Sequence, residues 1–233
     1  MRRYPWFTAS IGLFALRLMA EELLADRTAP RLFQEIILVF GDVSAILRLL
    51  VLVEVARRAF AGAPRSMWIV NTVGLLAVSC GILAAWGPWP AFKDLAWETL
   101  LGKLRLMQLT ALKGEALAAM LTVGLLILVA LFGRKYKAGW RSHTQQILIG
   151  LSTSAITLLT IQAMVQSIIA KARPQTQAEY DHVVALLTRL MNATKLVHVV
   201  VLVWWIVWLW LDEPGTKQTP QDETAALPEA SGE

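Results

Sequence analysis

The chain has 233 residues, 56% of them hydrophobic and only 17% charged, with a formal net charge of +5. A soluble domain carries about 45–50% apolar and about 25% charged residues, so the excess points to lipid as the solvent. The charge is uneven: residues 212–233 hold six acids against Lys217 alone, a net −5, which leaves +10 on the remainder. On a soluble body that would suggest nucleic acid. Here Lys and Arg fall between apolar runs, so they read as orienting charges, and no nucleic-acid partner is expected. A single cysteine, Cys80, excludes an internal disulfide and any cysteine-rich metal site. The first apolar segment contains Arg17 and has no convincing cleavage site, so it does not read as a cleavable signal.

A hydrocarbon core of about 30 Å takes about 20 helical residues to cross, and six segments qualify. The first span covers about 5–24, entered through Arg2 and Arg3 and anchored by Tyr4 and Trp6. A short polar turn leads to the second, about 32–55, which holds Glu35, Asp42, Arg48 and Glu54 inside or at its edges. Gly62 and Pro64 break the chain before the third, 67–86, which has no charged residue. Gly87-Pro88-Trp89-Pro90 ends it. Residues 91–108 are of mixed polarity, with Phe92, Ala96, Leu100 and Leu104 at a spacing of four, and are expected to lie in the interface. The fourth span is 109–132, ending in a basic Arg134-Lys135-Tyr136-Lys137 run; the fifth is 146–170, rich in Ser and Thr. A last helix from about 180 to 211 is about 48 Å long at 1.5 Å per residue. It exceeds one bilayer core, so its span is placed at 185–211, closed by a belt of Trp204, Trp205, Trp208 and Trp210. Residues 212–233 read as a disordered acidic tail. The expected fold is all-α: a polytopic bundle of six spans and one interfacial helix.

With the N-terminus inside, ten Lys and Arg fall on the inner side and seven on the outer, and the dense inner loops around Arg57 and Arg134 are short. Short loops weigh most, so both termini are expected in the cytoplasm and the chain in the inner membrane, multi-pass. No internal repeat is evident, which weakens an inverted-repeat transporter reading.

Short motifs are spread along the chain: Tyr4-Pro5-Trp6-Phe7, Glu54-Val55-Ala56-Arg57-Arg58-Ala59-Phe60, Gly124-Leu125-Leu126, Trp140-Arg141, Gly150 and the stretch from Trp208 to Pro214. Together they resemble a family of uncharacterised bacterial integral membrane proteins of about seven helices. The resemblance implies a helical architecture, an inner-facing Arg-Arg loop and one more helix before the Tyr-Pro segment. It implies no activity and no functional residue.

A charge at mid-bilayer costs at least about 2.5–3.5 kcal/mol, so it normally faces protein or water. Counted from the first turn, Arg17 and Asp42 lie within about 3 Å of one depth on neighbouring antiparallel helices, and are expected to pair. Glu35 shares a helix face with Asp42. Glu115 lies in the outer half of the fourth span, and Thr188, Asn192 and Lys195 line one face of the last helix, flanked by Arg189 and His198. Glu54 is expected to pair with Arg57 or Arg58 one turn on, whereas Arg48 has no obvious partner. Arg17, Glu35, Asp42, Glu115, Asn192 and Lys195 are the candidate lining of a polar pocket in the outer half. The plainer reading is that such residues hold helices together, at about 0.6 kcal/mol each.

Catalytic signatures fail on inspection. Glu21-Glu22 with Arg27 resembles the Glu-Glu-x-x-x-Arg signature of membrane CAAX-type proteases, but the arginine is one residue late and the later histidine motifs are missing. Gly150-Leu151-Ser152-Thr153 is one glycine short of the rhomboid motif. His182 and His198 share one helix about 24 Å apart, too far for a shared haem. No catalytic residue, cofactor or metal site is assigned. The leading expectation is a non-enzymatic membrane protein that binds or passes a small polar or charged solute. Its rivals are a scaffold or partner subunit of a membrane complex and an enzyme of unfamiliar type. The lipid bilayer is the one certain surrounding.

Overall fold

The computed structural model describes residues 4–24, 27–62, 64–86, 89–90, 99–132, 143–172 and 176–210. Six helices account for nearly all of them: α1 (Pro5–Leu24), α2 (Pro30–Ala59), α3 (Arg65–Ala85), α4 (Leu100–Phe132), α5 (His143–Lys171) and α6 (Gln177–Trp210). Five of the six, α2 to α6, are long and apolar enough to cross a membrane. α1 is 20 residues long but carries Arg17, Glu21 and Glu22 within it. The expectation of six spans plus a separate interfacial helix is therefore met only in part. Residues 100–108 are the first turns of α4 rather than a surface helix, because no proline or glycine break separates them from the apolar run that follows. Residues 91–98 and the acidic tail, 212–233, lie outside the described residues.

Prolines set two of the starts. Pro5 and Pro30 open α1 and α2, where the missing N–H is an orphan in any case and φ is already helical. Arg57 and Arg58 occupy the last turn of α2, where cations meet the negative end of the helix dipole.

Contacts fix the packing. Asp42 meets Thr110 and Arg48 meets Glu115, so α2 and α4 run parallel. They approach closely, since a Cβ at Gly41 would lie 3.2 Å from that of Ala111, and one at Gly114 would lie 3.1 Å from that of Ala45. α3 runs antiparallel to α4: Leu75 covers Gly124, and the Lys113 ammonium donates to the carbonyl of Trp86 and sits 4.4 Å from the Trp89 ring centre. The centre of the bundle is the triangle α2, α4 and α5, with α1 laid on α2, α6 on α5 and α3 on α4. Among the described residues, no Cα of α1 comes within 8 Å of one of α6, and none of α2 within 8 Å of one of α3. The second gap is an apolar crevice of about 190 Å³ between Leu49, Val53, Trp68 and Leu75.

The core is lopsided along the bundle axis. Its buried cluster joins Phe7 of α1, Val51, Leu52 and Val55 of α2, Leu125 and Val129 of α4, Ile147 and Leu148 of α5, and Trp205 of α6. All belong to the end where α1 begins and α2, α4 and α6 finish, here termed the lower end. A small polar network closes that end. The Glu54 carboxylate lies 3.8 Å from Arg58 and accepts the Phe7 N–H at 3.4 Å, one of the orphan donors in the first turn of α1. Arg58 covers the Tyr4 ring at 4.2 Å, and the Tyr4 hydroxyl bonds Thr144 at 2.7 Å. Pairing of Glu54 with Arg58 was expected; its bond to the first turn of α1 was not.

Outward faces are apolar. Val70, Val73 and Val78 on α3, and Leu196, Val200 and Ile206 on α6, are more than half exposed. A soluble monomer rarely shows such contiguous surfaces; facing hydrocarbon, they need no cover.

Candidate polar cavity

α1 and α6 meet only through side chains, and these define a register. Phe7 stands edge-on to Trp205 with ring centres 4.8 Å apart, and Phe14 stacks on His198 at 5.6 Å. Seven residues separate the two contacts on each helix, in opposite directions, so the helices are antiparallel. Three residues further up, the same register sets Arg17 opposite Lys195, and four more set Glu21 opposite Met191. These four side chains, with Phe14, Phe40, Ser44, Arg48, Glu115, Leu158, Thr194 and His198, line a cavity of about 150 Å³. Beneath it a second cavity of about 80 Å³ runs down to Phe7 and Trp205 past Ser10, Thr122 and Ser154. Phe14, Ser44, Arg48 and His198 border both, so the two adjoin along one path, with the Phe7–Trp205 ring pair at its lower end.

The charges in this path are incompletely paired. Glu21 accepts from Arg17 Nε at 2.9 Å, one turn apart on α1. Glu115 lies 3.9 Å from the Arg48 guanidinium, an ionic contact too long for a hydrogen bond. Their side chains are 16% and 27% exposed, and both line the cavity. Lys195 has no ion pair or hydrogen bond among the described residues. His198 Nδ1 lies 2.9 Å from the Thr194 carbonyl. A carbonyl only accepts, so Nδ1 carries the proton of the neutral ring and Nε2 is left as an acceptor. The Ser154 hydroxyl is buried with no hydrogen-bond partner. Three cations against two carboxylates leave the path at +1 with His198 neutral.

The sequence candidates divide into two sets. Arg17, Glu115 and Lys195 line the cavity; Glu35, Asp42 and Asn192 do not. Glu35 accepts from Arg31 one turn away on an exposed face. Asp42 accepts from the Thr110 hydroxyl at 2.8 Å, and Arg17 turns to Glu21, so the expected Arg17–Asp42 pair is absent. Similar depth does not make a pair; azimuth decides. Asp42 lies two residues before Ser44, about 160° away around the helix, and it is Ser44 that lines the cavities together with Phe14 of α1. Asn192 is exposed beside the lining residues Met191 and Lys195. Sequence reasoning left Arg48 without a partner and set His198 aside, although Ser44 and Arg48 are spaced by four and Lys195 and His198 by three. Those spacings were the available signal.

Among the described residues, no group of three or more His, Cys, Asp or Glu side chains comes together as a metal site would need. No family model matches the chain, and no curated protein or solved structure matches it. The likeness read from its short motifs gains no support there. The chain is an α-helical protein with five helices able to cross a membrane.

Proposed function

We propose that this is a multi-pass membrane protein that binds, and can pass, a small polar or charged solute in the α1–α6 cavity. α1 serves as the sixth crossing, laid antiparallel on α2, and both termini lie in the cytoplasm. The observation that carries the reading is the Arg48–Glu115 pair. It sits near the middle of its helices, is held at 3.9 Å without a hydrogen bond, and borders open space that also takes in the unpaired Lys195. Buried ion pairs that serve only packing need close geometry and satisfied hydrogen bonds to offset their desolvation. This pair has neither, which fits groups that exchange partners with a solute. The Phe7–Trp205 ring pair below, and a polar mouth at Arg17 and Glu21 above, suit a site reached from one side.

Water-soluble thiol reagents test it. In a C80S background, S44C places a thiol beside Arg48; it is expected to react with a charged methanethiosulfonate from one side of the membrane only. V73C on the lipid face of α3 is the unreactive control. Reaction of S44C no faster than that control would sink the reading, and the reactive side reports the orientation.

A further inference from the structure

Charge balance and the shape of the opening narrow the solute's chemistry, on the reading that the cavity is a binding site. Arg17 and Arg48 each have a carboxylate within 4 Å, whereas Lys195 has none. An ammonium at this depth without a counter-ion is costly, and one negative charge delivered beside it brings the cavity from +1 to neutral. A second negative charge would overshoot. The favoured head is therefore a monoanion, a carboxylate or a phosphodiester, rather than a dianionic phosphate ester. The Arg17 guanidinium, opposite Lys195, offers further donors in a planar fork suited to either oxyanion.

Apart from Ser44, Thr194 and His198, the remaining lining is hydrocarbon: Leu13, Phe14, Leu18, Phe40, Leu158 and Met191 surround the charged level. Its volume of about 150 Å³ accepts a head group and a few carbons and no more. Any longer chain has to leave the cavity. The exit is lateral, because α1 and α6 approach no closer than 8 Å between Cα atoms and their ring contacts, Phe14–His198 and Phe7–Trp205, lie lower down. Lys195 itself is exposed on this side, and Leu18, Met191 and Leu196 beside it are exposed hydrocarbon. A polar stripe of Thr188, Asn192 and Lys195, also exposed, climbs α6 from this level toward the upper end. An ordinary lipid-facing helix surface has no use for it.

We infer that the cavity takes the head group of a monoanionic amphiphile, which enters from the bilayer between α1 and α6 and leaves its chain in the lipid. Lys195 and Arg17 hold the oxyanion, and the Arg48–Glu115 pair forms the floor beneath it.

The test uses the full chain in a neutral maltoside detergent and in nanodiscs of phosphatidylcholine. Binding is read by thermal shift and by native mass spectrometry. The probes are dodecanoate and phosphatidylglycerol as amphiphiles, acetate and dimethyl phosphate as their chain-free heads, and dodecyltrimethylammonium as the cationic counterpart. At least one anionic amphiphile is expected to bind about tenfold more tightly than its own head group. K195Q should weaken that amphiphile's binding about tenfold and K195R preserve it, which separates loss of charge from loss of fold. Dodecanoate without phosphatidylglycerol assigns a carboxylate head, and the converse a phosphodiester. Equal binding of acetate or dimethyl phosphate would overturn the amphiphile and leave a soluble anion in the site. Binding of the cation alone, untouched by K195Q, would overturn the charge inference but not the site. Binding of none of them, with S44C also unreactive, would remove both.

Discussion

The Arg48–Glu115 contact separates a solute site from a packing device, and a double-mutant cycle on stability reads the difference. The variants are R48M, E115L and R48M/E115L, each keeping side-chain volume while removing charge. At the observed 3.9 Å, two unit charges attract by about 4 kcal/mol at an effective dielectric of 20 and by about 1 kcal/mol in bulk water. Partial exposure of both groups places this pair between the limits, so the coupling is expected at about 1–2 kcal/mol. Each single variant should then lose about 2 kcal/mol, since the partner left behind can still reach water. A dry packing pair behaves differently: either single costs about 3–5 kcal/mol, and the double variant regains or exceeds the parent stability. Unfolding by SDS titration in mixed micelles, followed through the ten tryptophans, supplies the four free energies. A coupling above about 3 kcal/mol, with the double variant as stable as the parent, would refute the wet site. The pair would then be a register device for the parallel α2 and α4.

Two further perturbations probe the lower, well-packed half. A Cβ at Gly150 would run into the Trp205 indole, whose N–H donates to the Gln146 carbonyl at 3.3 Å and which is wedged against Phe7. G150A is therefore expected to cost about 1–3 kcal/mol and to alter tryptophan emission, whereas G124A meets only the flexible tip of Leu75 and should cost less than about 1 kcal/mol; equal thermal midpoints for the two variants would contradict the packing described. E54A removes both the Arg58 pair and the acceptor for the first turn of α1, from a carboxylate only 8% exposed. Its expected cost is about 2–3 kcal/mol, with faster hydrogen exchange confined to the start of α1, and uniform exchange along the chain would show that the bond does not anchor that helix.

Composition and hydrophobic run length were enough to read an all-α chain of long apolar helices and to place most helix ends within a few residues. Those features follow from local chemistry: apolar length, proline at a first turn, glycine and proline at a break. The start of α4 was the exception, because amphipathic residues 100–108 can lie on a surface or lengthen a span, and only attachment to the following run settled it. Counting residues from a turn set Arg17 and Asp42 at nearby heights but did not make them partners.

Which way each side chain points around its helix was not legible. Rise along a helix is fixed by residue number alone, whereas azimuth toward a neighbour depends on which helices touch and at what rotation. Asp42 therefore turned to Thr110 instead of Arg17, and Arg48 found Glu115 from 67 positions earlier in the chain, on a helix that the sequence did not mark as its parallel neighbour. The gap between α1 and α6 is likewise a tertiary fact. It arises because each packs on a different member of the central triangle, and it leaves room for the cavity lined by Arg17, Arg48, Glu115 and Lys195.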